Sequence, residues 1–509
     1  MKKEITRNDV SRLFYIIILM VAPLYFAEGY YDIINAKTRI VWLGIFLTSV
    51  LALLIFIVWF YERVRNKNLK SSFLSIARQL IKSLKLIDVL VIIFGMNGII
   101  SALLSDYRME ALTGSEAWNV GGYMILALAV MYLLCSRCSK NEYLYLYAMM
   151  ISAVAVMILG VLNDLWIDPL GIMANVDKYW KDSFTSTIGN IDQFSGYLSI
   201  VIPVMAMVFV SSTNGFKRAF AVIVLFFCYL NVFLTHADGI YVGVGFSFLF
   251  LIAYCLRNRS RFMGLLINGI IFGISGFAAQ VVVLYRPEIR LDDISPILMG
   301  YNVHLIIGGC CFVLLLVQMA LELKVSREKL DRAMNILQRI YIVLLILGAL
   351  SAAVYVATNF SMDFMNRRGL LWYISVNGFI DGDLREKIIG WGPGTIDQAA
   401  VVYTFDIVDA YGGFYYLETA HNDIFEYLVT LGIVGVCSYA GIYLVIISGF
   451  VQMVRAKADF SAPSSYAHMG LIGYIGQSIM NGPHPLTTAM FFALLAVCRA
   501  GGVNGDVSI

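Results

Sequence analysis

Two neighbouring arginines open the segment Arg367-Arg368-Gly369-Leu370-Leu371-Trp372. A guanidinium group keeps its charge at any physiological pH, and its planar fork matches two oxygens of a phosphate. The pair is therefore a candidate clamp for a pyrophosphate group. The alternative is a pair of membrane-surface anchors, because the apolar residues from Phe364 to Ile380 recur at helical spacing and predict a helix lying on that surface.

One histidine stands among polar residues in Glu418-Thr419-Ala420-His421-Asn422-Asp423, directly before an apolar run. Imidazole transfers protons near neutral pH, so His421 is a candidate general base. The alternative is that His421 only helps Asn422 and Asp423 to cap the helix that follows.

A glycine-rich turn, Gly390-Trp391-Gly392-Pro393-Gly394-Thr395, lies between these two segments. Its glycines allow the backbone either to turn tightly or to approach a ligand. The turn lacks the Lys-Ser/Thr ending of a nucleotide-binding loop. A ligand contact and a purely structural turn therefore both remain open.

Two further polar segments adjoin apolar runs, Thr187-Ile188-Gly189-Asn190-Ile191-Asp192-Gln193 and Thr235-His236-Ala237-Asp238-Gly239. Polar groups near a membrane are costly, which makes Asn190, His236 and Asp238 candidate site residues; for the second segment a simple turn is the alternative. The remaining histidines are interpreted as structural. Because no metal-ligand spacing is present, neither a metal nor another cofactor is predicted.

The composition shows which elements must position these residues. Apolar residues make up 60% of the chain and charged residues only 14%, against roughly 25% in soluble domains. So few charges cannot cover the surface of a soluble protein of 509 residues. The net charge of +3 is not gathered into a basic stripe, so no nucleic-acid partner is expected.

A membrane-spanning helix needs about 20 mostly apolar residues. Windows of this kind predict an all-α, polytopic transmembrane helical bundle of about 12–14 spans in the lipid bilayer. The fourteen windows are 13–30, 39–61, 86–104, 120–135, 143–162, 189–210, 219–235, 239–256, 262–284, 299–321, 340–358, 424–452, 466–480 and 485–500.

The distribution of lysine and arginine predicts the orientation. With both termini in the cytoplasm, 26 of the 37 basic residues fall in inner segments. The first window is interpreted as a retained helix, because no signal-peptide cleavage site follows it. This topology leaves one long extracytoplasmic loop, 359–423, which holds Arg368, Trp391 and His421.

The order of these motifs resembles the O-antigen ligase and polymerase superfamily of bacterial membrane glycosyltransferases. The resemblance covers about 185–440 and rests on Thr187–Asn190, Arg368–Trp372, Gly390–Thr395 and His421–Asp423, with Leu431-Gly432-Ile433-Val434-Gly435 in the next helix.

This resemblance implies a GT-C-like bundle in the cytoplasmic membrane, with a core at 185–452 flanked by helices at 1–184 and 453–509. It implies metal-independent, inverting transfer of a glycan from an undecaprenyl-pyrophosphate carrier to an acceptor sugar outside. Arg368 would bind the pyrophosphate, and His421 would orient or deprotonate the acceptor hydroxyl. The other expected substrate-binding residues are Arg367, Asn190, His236, Asp238, Trp391, Gly392, Asn422 and Asp423.

One departure from the family is the sequence Thr235-His236, where ligases usually carry a Ser-Arg pair. Ligase and polymerase both remain open, since they differ only in the acceptor. The rival functions are a flippase or transporter of lipid-linked oligosaccharides and an inactive scaffold that binds polysaccharide assembly proteins. Transporters tend to place ionisable groups at the bilayer midplane, whereas here the polar residues gather at the predicted outer surface.

Overall fold

The computed structural model describes residues 6–65, 78–79, 81–139, 142–235, 237–399, 418–456 and 460–501. The first helices in chain order are α1 (Arg7–Ile16), α2 (Ala22–Leu24), α3 (Ile33–Arg65), α4 (Leu86–Leu104), α5 (Arg108–Thr113), α6 (Gly122–Cys138), α7 (Leu144–Asp164), α8 (Ile191–Ser211), α9 (Gly215–Leu234) and α10 (Gly239–Cys255). They are followed by α11 (Arg259–Tyr285), α12 (Ile294–Gly300), α13 (Val303–Lys324), α14 (Arg327–Asn359), α15 (Phe364–Asp381), α16 (Leu384–Ile389), α17 (Asp423–Thr430), α18 (Gly432–Arg455), α19 (Pro463–Gln477) and α20 (Pro485–Ala500).

Within these described ranges, nine helices are long and apolar enough to cross a membrane. Three shorter apolar helices, α6, α10 and α20, pack among them. The prediction of an all-α, polytopic membrane helical bundle is therefore confirmed.

The helix α8 lies at the centre of the bundle. Its most apolar window is 94% buried, and its neighbours include α9, α10 and α19. A short antiparallel pair of strands, β1 (Phe184–Thr185) and β2 (Gly189–Asn190), leads directly into α8. The residues at the start of α8 are therefore held between a hairpin and a helix that is buried on nearly all sides.

The periphery is formed by α13 and α14. The most apolar window of α14 has no buried residue, and that of α13 is only 17% buried. The hydrocarbon of a bilayer is as apolar as leucine, so such faces are stable against lipid without a protein partner.

Ion pairs define one end of the bundle. Arg12 of α1 pairs with Glu142 at 2.8 Å, and Arg499 of α20 pairs with Asp88 of α4 at 3.0 Å. Arg137, near the end of α6, pairs with the same Asp88 carboxylate at 3.3 Å. We call this end, where α1 and α4 begin and α6 and α20 end, the basic end.

A span predicted at 424–452 is present as α18, but its predicted start is wrong, because α17 and α18 are two helices that meet at Leu431–Gly432. The hydroxyl groups of Tyr439 and Tyr443 in α18 donate hydrogen bonds to Asp423 at the start of α17, at 2.9 and 3.1 Å. In one continuous helix, residues 423 and 439 would lie about 24 Å apart. The helix α17 therefore folds back along α18.

Candidate functional site

Arg368 follows an unusual backbone turn. Met365, Asn366 and Arg367 all have positive φ angles, between 50° and 67°, so the predicted helix starting at Phe364 becomes right-handed only at Arg368. Left-handed conformations are unfavourable for residues with a side chain, and such strain often marks functional positions. The turn leaves Arg367 exposed, whereas the Arg368 side chain is only 15% exposed.

The Arg368 guanidinium reaches the start of α8. Its Nη2 atom lies 3.7 Å from Oδ1 of Asp192, and its Nε donates a hydrogen bond to the carbonyl oxygen of Met480 at 3.1 Å. Asp192 lies in the first turn of α8, where its backbone N–H donates to the side chain of Asn190 at 2.8 Å. Asn190, a predicted substrate-binding residue, is thus the N-cap that orients Asp192.

His421 lies next to this pair, and its own φ angle is positive, at 47°. Its Nδ1 atom is buried and has no hydrogen-bond partner among the described residues. Its ring is nearly perpendicular to that of Trp118, at 85°, with a centroid distance of 6.3 Å. A buried ring nitrogen without a protein partner is available to a ligand or a water molecule.

Burial lowers the pKa of His421, because the protonated ring loses its hydration. The Asp192 carboxylate opposes this shift and the Arg368 charge reinforces it. The imidazole is therefore neutral at neutral pH, which is the form that accepts a proton.

A single turn, residues 478–481, holds all these groups together. The backbone N–H of Asp423 donates to the carbonyl oxygen of Ser478 at 2.9 Å, and the side chain of Asn422 donates to that of Ile479 at 3.0 Å. The carbonyl oxygen of Met480 accepts the bond from Arg368, and Asn481 donates from Nδ2 to the carbonyl oxygen of Asp192 at 3.0 Å. The turn 478–481 thus links Arg368 of α15, Asp192 of α8, and Asn422 and Asp423 at the start of α17.

Neither a scan against models of known protein families nor a search of curated proteins gives a match to this chain. The resemblance to the ligase and polymerase superfamily therefore rests on the motifs and their order.

The two predicted site residues after His421 have structural contacts. Asn422 caps α17, since its Oδ1 accepts hydrogen bonds from the backbone N–H groups of Ile424 and Phe425. Asp423 has no exposed surface, and one of its oxygens accepts hydrogen bonds from Tyr439, Tyr443 and Tyr474. A carboxylate enclosed in this way fixes the position of α17.

The glycine turn docks on the break between α17 and α18. The backbone N–H groups of Trp391 and Gly392 donate to the carbonyl oxygens of Val429 and Thr430 at 3.1 and 2.9 Å. A Cβ atom on Gly390 would lie 2.2 Å from the carbonyl group of Thr430. The structural interpretation accounts for these contacts, because the turn satisfies carbonyl groups that the helix break leaves open.

The remaining predicted residues, His236 and Asp238, precede α10 in the sequence. His236 lies outside the described residues. Asp238 precedes α10 and accepts a hydrogen bond from the backbone N–H of Ile294 at 3.0 Å. Its structural contact is therefore with the start of α12.

Sequence reasoning did not select Asp192, Trp118 or the turn 478–481 as parts of the site. Asp192 had a detectable signal, since it is an ionisable residue that opens an apolar helix. The turn had none, because it contributes mainly backbone carbonyl groups, which every residue type carries.

Proposed function

We propose that this protein is a surface-polysaccharide ligase or polymerase, which transfers a glycan from an undecaprenyl-pyrophosphate carrier to an acceptor sugar. One observation carries the proposal: Arg368 and His421 both lie beside Asp192. Nη2 of Arg368 and Nδ1 of His421 make no short hydrogen bond to any described residue. A fixed positive charge beside a neutral base is what transfer from a pyrophosphate leaving group requires.

Arg368 has capacity left for a pyrophosphate. Its Nε is engaged by Met480, whereas Nη1 lies 3.5 Å from the carbonyl oxygen of Met365 and Nη2 lies 3.7 Å from Asp192. Both distances are longer than those of strong hydrogen bonds. The terminal N–H groups can therefore exchange these contacts for shorter, charge-assisted bonds to phosphate oxygens.

His421 supplies the base in this reaction. The acceptor hydroxyl oxygen attacks the anomeric carbon, and His421 takes the hydroxyl proton. The bond between the anomeric carbon and the pyrophosphate oxygen breaks, and the carrier pyrophosphate leaves with the electron pair. Arg368 balances the negative charge that develops on this leaving group.

Charge supports a position for this chemistry outside the cytoplasm. The site lies where α8 and α17 begin, and those residues belong to predicted outer segments, whereas the basic end contains arginines of predicted inner segments. The positive-inside rule places the basic end in the cytoplasm. We propose the cytoplasmic membrane as the location, with both termini on the cytoplasmic side.

The test is a transfer assay with purified full-length protein and an undecaprenyl-pyrophosphate-linked glycan. Two acceptors are offered, an anchoring glycolipid and a second lipid-linked repeat unit, because they separate ligase from polymerase. We expect product from one of them, and loss of that product in Arg368→Gln and His421→Gln.

The matched control is Arg39→Gln, which removes an exposed arginine paired with Asp32. It is expected to keep full activity. Undiminished transfer by both site variants would contradict the proposal. Movement of the glycolipid across liposomes without glycan transfer would establish the transporter instead, and normal binding of assembly proteins without either activity would indicate a scaffold.

A further inference from the structure

A groove of about 660 Å³ runs along the bundle between the second half of α3 and the pair α1 and α6. Its walls are almost wholly apolar and include Ile55, Phe56 and Trp59 of α3 and Val130, Leu133 and Leu134 of α6. Several of these side chains are substantially exposed, as Phe56 is at 48%. The groove is therefore open from the side, where a membrane protein meets lipid.

The groove has charged groups at one extremity only. Arg7, the first residue of α1, and Arg137, in the last turn of α6, line that extremity. Both belong to the basic end of the bundle. Trp59, near the end of α3, also lines the groove, and the guanidinium of Arg63 lies over its ring, 5.8 Å from the centroid.

Among the described residues at this extremity, the positive charge exceeds the negative charge. Asp88 is shared by Arg137 at 3.3 Å and Arg499 at 3.0 Å, so one carboxylate faces two guanidinium groups. Arg7 has no ion pair with any residue that the structure describes. The neighbouring carboxylates of Asp9 and Glu142 are both paired with Arg12.

We propose that this groove binds an anionic diacyl phospholipid, with an acyl chain along the apolar walls and the phosphate between Arg7 and Arg137. Basic pockets between transmembrane helices on the cytoplasmic side suit anionic headgroups, and a guanidinium binds phosphate oxygens in a defined geometry. A neutral phospholipid would gain the same burial of its chain but would lack the net attraction to the arginines. The charge at the mouth of the groove therefore selects the lipid. This inference does not depend on the proposed enzymatic activity.

The test uses fluorescence of Trp59, which lines the groove. The full-length protein is placed in phosphatidylcholine nanodiscs that contain a rising mole fraction of a lipid with brominated acyl chains, either phosphatidylglycerol or phosphatidylcholine. The Trp59→Phe variant identifies the part of the signal that belongs to Trp59. We expect brominated phosphatidylglycerol to quench Trp59 at about fivefold lower mole fraction than brominated phosphatidylcholine, a preference equivalent to one arginine–headgroup attraction.

Arg7→Gln is expected to abolish this preference while leaving thermal unfolding unchanged, since Arg7 has no ion pair to lose among the described residues. The matched control is Arg218→Gln, which removes an arginine in the first turn of α9, stacked on Phe209 and outside the groove. It is expected to retain the preference. Ala52→Phe narrows the groove and is expected to reduce quenching by both lipids.

Equal quenching of the wild-type protein by the two lipids, or an unchanged preference in Arg7→Gln, would overturn the proposal. If a second copy of the chain fills the groove instead, neither brominated lipid quenches Trp59. Native mass spectrometry would then show a dimer that Ala52→Phe dissociates, and this result would likewise overturn it.

Discussion

The Nη2 atom of Arg368 lies 3.7 Å from Oδ1 of Asp192, and the two side chains are only 15% and 25% exposed. At this distance the charges attract strongly in a site partly shielded from water, yet they do not form a short hydrogen bond. In the proposed reaction, Asp192 compensates the arginine charge until a donor binds. A pyrophosphate carries more negative charge and offers better geometry, so it can displace the carboxylate from the guanidinium.

Arg368→Lys is predicted to lower the transfer rate about 100-fold, nearly as much as Arg368→Gln. A lysine keeps the charge, but it loses the planar fork and the Nε bond to Met480 that aims the group. The measurement is the initial transfer rate at saturating acceptor, with Arg39→Gln as the control. Near-normal activity in the lysine variant would show that charge alone suffices at this position.

Asp192→Asn is predicted to move the pH dependence of transfer toward lower pH. His421 must be neutral to accept a proton, so the rate of the wild-type protein should fall only as the pH drops through the lowered pKa of His421, which burial holds below the ordinary imidazole value of about 6.5. The Asp192 carboxylate raises the pKa of His421, and its removal lowers that pKa further. The acidic limb of the profile should therefore shift to more acidic values.

The measurement is the pH–rate profile of the wild-type and variant proteins between pH 4 and 8, the range that spans the titration of histidine. Asp32→Asn, which removes the ion-pair partner of Arg39, is the control and should leave the profile in place. A limb that moves to higher pH in Asp192→Asn would contradict the proposed contact between the Asp192 charge and the imidazole.

Hydropathy was sufficient to predict the bundle because a spanning helix is a local property of the sequence. Thirteen of the fourteen windows correspond to one helical region each, from the first at Arg7 to the last at Ala500. The exception is 424–452. Its reversal at Leu431–Gly432 depends on contacts with Ile388 and Gly390, which lie about forty residues upstream and leave no mark on local hydropathy.

The site was predictable only in part, and for a related reason. Arg368 and His421 carry side chains whose chemistry is recognisable in the sequence, and the structure brings them together. The positions of the neighbouring polar residues depend on the turn 478–481. Its carbonyl groups accept hydrogen bonds from Arg368, Asn422 and Asp423. Asn422 and Asp423 were predicted to bind substrate, but their contacts are those of a helix cap and a buried anchor.

Gly432→Ala is predicted to destabilise the protein. Gly432 has a φ angle of 64°, and a Cβ atom there would lie 2.6 Å from the backbone of Ile388. The backbone conformation alone costs about 1–2 kcal/mol for alanine, and the steric overlap adds to this. Thermal unfolding in detergent measures the loss.

The matched control for this glycine is Gly348→Ala in α14, where a Cβ atom meets no other atom within 4 Å. That substitution is expected to be neutral or to stabilise the helix by up to about 1 kcal/mol. Equal unfolding temperatures for the two variants would show that the junction of α17 and α18 tolerates a side chain.

Asp423→Asn is predicted to lower stability without changing the affinity of the remaining folded protein for its donor. Three tyrosine hydroxyl groups donate to the same carboxylate oxygen, and the residue has no exposed surface. An amide replaces one acceptor oxygen by N–H donors in a fully enclosed place, at a cost of about 1–3 kcal/mol. Tyr474→Phe removes one of the three donors and should cost about 1 kcal/mol.

Thermal unfolding and the KM for the lipid-linked donor are measured on the same preparations. Unchanged stability with a sharply raised KM would instead give Asp423 a role in donor binding.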